Sequence, residues 1–92
     1  MSNIVIRRKH GKTRLEARAA AEHMASELKE EFDLDYAWKG EVMQFTRPGV
    51  SGELTLGRHN VVLSINLGFF LSALKTSIER EIHKYFDENF QP

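Results

Sequence analysis

Four histidines, at positions 10, 23, 59 and 83, are the side chains here best suited to acid–base or metal chemistry. A metal centre needs three or four converging ligands, and the sequence comes nearest to one with Glu79 and His83, a single helical turn apart. A solvated pair on a helix face is the simpler reading. The candidate nucleophiles are Ser26, Ser51, Ser64, Ser72, Ser77 and the threonines, and none sits in a glycine-framed elbow. The glycines at 49, 52 and 57 are placed in strand turns and not in a phosphate loop before a helix. Asp33 and Asp35 fall in a polar stretch after a helix, as solvating groups and not as an acid–base pair. With no cysteine, disulfides, thiolate catalysis and cysteine-bound zinc are absent. The sequence therefore reads as that of a non-enzyme, with no catalytic residues, no metal ligands and no cofactor.

Binding chemistry is better represented. Arg7, Arg8, Lys9, Lys12 and Arg14 accumulate before the first acid, Glu16. Such a patch suits phosphates, an anionic surface or an acidic partner, but no aromatics are interleaved to stack single-stranded bases. The same charges would also shield an edge strand from pairing with another sheet. The first helix carries bases at its start and Glu27, Glu30, Glu31, Asp33 and Asp35 toward its end, against the helix dipole. Either neighbours within the chain offset this, or two copies pack antiparallel as a homodimer. Leu67-Gly68-Phe69-Phe70-Leu71 stands at a strand-to-helix corner. Successive helical positions lie about 100° apart, so three bulky residues cannot all point inward. At least one of Phe69 and Phe70 is expected to meet water. With Leu71, Tyr36 and Trp38, these rings are the candidate apolar contact.

These features require a scaffold. Ninety-two residues, with thirteen basic and thirteen acidic side chains, fit one domain spanning 1–92. Zero formal charge removes the self-repulsion that opposes association. The stretch free of Lys, Arg, Asp and Glu from His59 to Leu74 is shorter than the roughly 20 apolar residues of a spanning helix. Arg7-Arg8-Lys9 precedes any apolar run of signal-peptide length, which points to a cytoplasmic protein.

Ile4 and Ile6 alternate with Val5 and Arg7 as a strand. Thr13-Arg14-Leu15-Glu16 forms a capping box, followed by Ala17, Ala21, Met24, Leu28 and Phe32 on one helical stripe. From Leu34 the period is two, with turns at Lys39-Gly40, at Pro48-Gly49 and around Gly57 to Asn60. After Gly68 a second stripe runs from Leu71 through Leu74, Ile78 and Ile82 to Phe90. The fold class is α+β in the order β-α-β-β-β-β-α, an antiparallel sheet with both helices on one face. The first strand is placed beside the last, with a right-handed crossover through the first helix.

Trp38-Lys39-Gly40-Glu41, Phe45 to Gly52, Leu67 to Lys75 and Ile78 to Ile82 together resemble the polyhydroxyalkanoic acid system protein family. The Ile4 to Arg8 strand and the alanine-rich helix fit as well, so the resemblance covers nearly the whole chain. It implies a small bacterial protein of the storage-polyester system, phasin-like in setting, with no established ligand residues to carry over. The expected function is non-catalytic association with polyhydroxyalkanoate (PHA) granules or their enzymes through the apolar patch. Two alternatives remain. One is a hydrophobic-ligand (acyl or lipid) binding domain of helix-grip type, and the other a nucleic-acid binder acting through the basic patch.

Overall fold

The computed structural model describes residues 2–90. Eight-residue β1 (Ser2–Lys9) leads into α1 (Arg14–Phe32). Four strands follow: β2 (Asp35–Lys39), β3 (Val42–Arg47), β4 (Val50–Leu56) and β5 (Asn60–Leu67). The chain ends in α2 (Phe69–Ser72) and α3 (Lys75–Asn89). One antiparallel sheet has the order β1-β5-β4-β3-β2, so the first strand does lie beside the last. β1 and β2, at opposite edges, run the same way, and α1 carries the chain across the full width between them.

Local chemistry accounts for the boundaries. Thr13 accepts from the Glu16 amide at 3.2 Å, and the Glu16 carboxylate accepts from the Thr13 amide at 2.8 Å. This capping box satisfies donors that would otherwise be orphaned at the start of α1. Asp33, with φ 57, closes the helix by donating its amide to the Lys29 carbonyl. In the β2–β3 hairpin only Gly40 has positive φ, as a type II′ turn requires. Pro48 presets φ in the next turn, and Gly49 takes φ +84, as in type II.

Period-two alternation then builds one dry face. Cross-strand rows Ile6–Leu63–Leu54–Met43–Trp38 and Ile4–Ile65–Gly52–Phe45–Tyr36 run across it. Ala17, Ala21, Met24, Ala25 and Leu28 of α1 and Ile82 and Phe86 of α3 are buried with these rows in a single core. The other face carries Asn66, Ser51, Thr46, Glu53 and Thr55, all exposed. The sheet is one-sided, as its alternation requires.

The terminal helix differs from a continuous stripe. It breaks at Ala73-Leu74, where the Leu74 amide bonds to Leu71 O at 2.9 Å, three residues back. Leu74 adopts φ −99, ψ 7 and turns half outward instead of packing. No glycine or proline marks the break. It follows from the tertiary demand that α3 fold back over the sheet.

Gly52 lies within β4, not in a turn, and fills the gap between Ile65 and Phe45 in its row. A Cβ there would stand 2.7 Å from the Ser64 carbonyl oxygen and 2.9 Å from Ile65 Cγ1. Backbone oxygen cannot swing aside, so Gly52→Ala should destabilise the fold by about 1–3 kcal/mol through overpacking. Ser51→Ala, on the wet face, should change stability by less than about 0.5 kcal/mol. Urea midpoints of the two variants measure the difference, and equal midpoints would contradict this packing.

Candidate functional site: an apolar corner and a basic cleft

At the end of the sheet where β5 terminates, the chain hugs the Pro48-Gly49 turn. The Gly68 amide donates to the Gly49 carbonyl at 2.8 Å, and a Cβ on Gly68 would meet that oxygen at 3.2 Å. Gly68 then caps α2, and Ser72 Oγ donates back to the Gly68 carbonyl at 3.0 Å. No α2 residue is buried. Phe69 and Phe70 are 80% and 90% exposed, and their rings stack edge to face at 5.7 Å. Both rings therefore meet water, where the steric argument required at least one. Leu71 points the other way, into an open groove of about 300 Å³ walled by Phe32, Leu34, Val50, Leu67 and Ile78. Leu74, 51% exposed, also lines that groove. Arg47 lies at its edge and donates to the Phe32 carbonyl at 2.6 Å.

Tyr36 and Trp38 do not join this corner. Both lie on β2, at the far edge of the sheet and on its helix-facing side. The Tyr36 ring is 6.4 Å from Phe45, while the Arg18 guanidinium covers Trp38 at 3.9 Å. The indole N–H of Trp38 donates to the Glu22 carboxylate. The Trp38 contacts brace α1 against the β2 edge, while the Tyr36 ring packs toward β3.

The basic run is likewise divided. Arg7 and Lys9 point to the open face, whereas Arg8 shares the helix side with Ile4 and Ile6. Arg8 there pairs with Asp87 at 2.7 Å, contacts His83 Nδ1 at 3.0 Å and lies 5.7 Å from the centre of the Phe86 ring. It ties β1 to α3. Lys12 and Arg14 line a cleft of about 800 Å³ together with Arg58, His59 and Glu41. His10, 5% exposed, braces its walls. His10 Nδ1 accepts from the Lys12 amide at 3.2 Å, Nε2 donates to the Gly57 carbonyl at 3.2 Å, and its own amide donates to the His59 carbonyl at 3.0 Å. Those two ring contacts make Nδ1 the acceptor and Nε2 the donor.

Some of the reversed charges of α1 meet partners inside the chain. Arg14 Nε donates to Glu41 at 3.1 Å, Lys29 reaches Asp35 at 3.5 Å, and Glu27 accepts from Asn89 at 2.9 Å. Glu79 and His83 stand 3.9 Å apart, and among the described residues no third ligand joins them to form a metal-type group.

Sequence motifs single out neither Arg58 nor Arg47, and they offer His59 only as one of four histidines and Leu74 only as part of the terminal stripe. The signal for Arg58 and His59 was present but indirect. With β1 beside β5, the register brings Lys9 opposite Asn60 and hence the Gly57-Arg58-His59 turn next to Lys12.

Fold and surface together define a small one-sided α+β protein that carries an exposed apolar corner and a cationic cleft. A profile of the family described as "Putative polyhydroxyalkanoic acid system protein" matches residues 4–90, and the chain belongs to that family. No curated protein and no solved structure matches it. Among the described residues, no helix is long and apolar enough to cross a membrane.

Hydrogen bonding to Arg14 holds the Glu41 carboxyl below the ordinary glutamate range, and Glu41 pushes the Arg14 guanidinium up. A carboxylate depressed in the folded state contributes its stability above its unfolded pKa and loses it as pH falls through the folded value. Arg14→Gln should therefore raise the Glu41 titration midpoint in carboxyl NMR. The stability gap between variant and parent should be present at neutral pH and vanish below the Glu41 titration. An unmoved midpoint would show that the pair does not form.

Proposed function

We propose that this protein serves the PHA system as a non-catalytic binding protein that seats its α2 corner on the granule's polyester surface. The observation that carries this is the pair of rings at Phe69 and Phe70, almost fully exposed on a helix that buries nothing. Contiguous exposed apolar surface on a small chain marks a contact site, and the family supplies a setting in which the apolar counterpart is a polyester. Burying two phenylalanine side chains is worth roughly 3–6 kcal/mol before association costs. That favours reversible adsorption over permanent anchoring. The Gly68–Gly49 hydrogen bond fixes the corner to the sheet.

A second reading draws on the groove beneath α2. Its apolar walls would accept one short acyl chain, as in a hydrophobic-ligand carrier, and native mass spectrometry of the purified protein would reveal such a passenger.

The test is adsorption to purified amorphous polyester granules. Phe69→Ser with Phe70→Ser should reduce the bound fraction at least about tenfold, since each lost contact is worth a kcal/mol or more. The thermal midpoint should hold, because neither ring supports the core. Undiminished adsorption by the double variant rules out the corner. Binding only to granules that retain their native proteins would transfer the partnership to a granule enzyme.

A further inference from the structure

The cleft at the opposite end of the molecule has chemistry that the proposed surface contact does not use. Its floor and walls come from the β1–α1 loop, the start of α1 and the β4–β5 turn. Three cations, Lys12, Arg14 and Arg58, line it against one carboxylate, Glu41, so two positive charges go uncompensated. Glu41 is committed to Arg14. Among the described residues, neither Lys12 nor Arg58 forms an ion pair. Glu16, whose charge Lys12 also feels, does not line the cleft, and its carboxylate is occupied by the Thr13 amide.

The amides at the start of α1 play no part in the argument, because the capping box already engages them. What remains is a concave, charged site with fixed walls. The buried His10 ring fastens one wall to the other, and the Gly57 amide holds its own turn by donating to the Asn60 carbonyl at 2.8 Å. A site that is already ordered loses little entropy when a ligand enters. A volume of about 800 Å³ falls in the range of small-molecule sites.

We propose that this cleft binds a small phosphate-bearing molecule, its dianionic group held between Lys12 and Arg58 with His59 as a further donor. Charge selects the class. A phosphate ester carries about −1.5 to −2 at neutral pH and so matches the two uncompensated cations, where a monocarboxylate would leave one unmatched. The guanidinium of Arg58 is suited to hold two phosphate oxygens at once. The lining argues against a nucleic-acid strand. No tryptophan, tyrosine or phenylalanine lines the cleft for stacking, and Arg7 and Lys9 point away to the open face of the sheet.

Inorganic pyrophosphate titrated calorimetrically into the full chain at physiological salt tests this. Saturable binding is expected. Lys12→Gln and Arg58→Gln should each weaken it about tenfold or more, as expected for loss of a charge-assisted hydrogen bond. Arg7→Gln with Lys9→Gln should leave it within about twofold. Absence of saturable binding, equal weakening by the Arg7/Lys9 pair, or equal competition by acetate would each overturn the proposal. So would tighter binding of a single-stranded oligonucleotide that depends on Arg7 and Lys9. The residues are separate from Phe69 and Phe70, so this outcome is independent of polyester adsorption.

Discussion

Coverage of the sheet's single dry face is the constraint on which the rest of the molecule depends. Strands lie about 4.8 Å apart, so five of them make a surface roughly 20 Å wide. Helices pack about 8–10 Å apart, and two of them side by side just span that width. α1 lies toward the β2 side and α3 toward the β1 side, in contact with each other. Nothing is left over to cover the second face. Its Asn, Ser and Thr side chains are the sequence's answer to that arithmetic.

The same constraint explains why the aromatic corner is wet. β5 ends near the edge that α3 must cover, and the chain has to reverse direction before α3 can start. α2 is that reversal. It stands at the rim of the sheet with Leu71 turned to the apolar groove beneath, so Phe69 and Phe70, on its outer side, have nothing to pack on. The close approach of Gly68 to Gly49 makes the reversal tight, since a side chain on Gly68 would press on a backbone carbonyl.

Local signals in the sequence were read correctly where they acted alone. Thr13 and Glu16, the Ala17–Leu28 stripe and Pro48-Gly49 each specify their own geometry without help from distant residues. The break at Leu74 was not legible, because its residues are ordinary helix formers and the turn is imposed by where α3 must go. Trp38 was misgrouped for a related reason. Its exposure depends on a lid, the Arg18 guanidinium, which only the packed α1 brings into place. The basic run held information that a charge count misses. Ile4, Ile6 and Arg8 share one face by period two, so Arg8 had to turn toward the helices, and its contacts with Asp87, His83 and Phe86 show what a charge does there. The cationic cleft was hidden for the opposite reason. Lys12 and Arg58 are far apart in sequence, and only the β1–β5 pairing brings them to one site.

That pairing also fixes how the two ends relate. β5 begins beside His59 in the cleft and ends at Leu67 next to the aromatic corner, and the steps between its eight residues, at about 3.3 Å per step, separate the features by roughly 23 Å. A rigid strand thus connects them, with the cleft at the far end of the sheet from the corner. Exposed charge there would add nothing to adsorption, since an uncharged polyester gives it no counter-charge and salt screens it beyond about 8 Å. Adsorption and anion binding are therefore expected to be energetically separate. In this chain of zero net charge the apolar and cationic groups sit at opposite ends of the same strand.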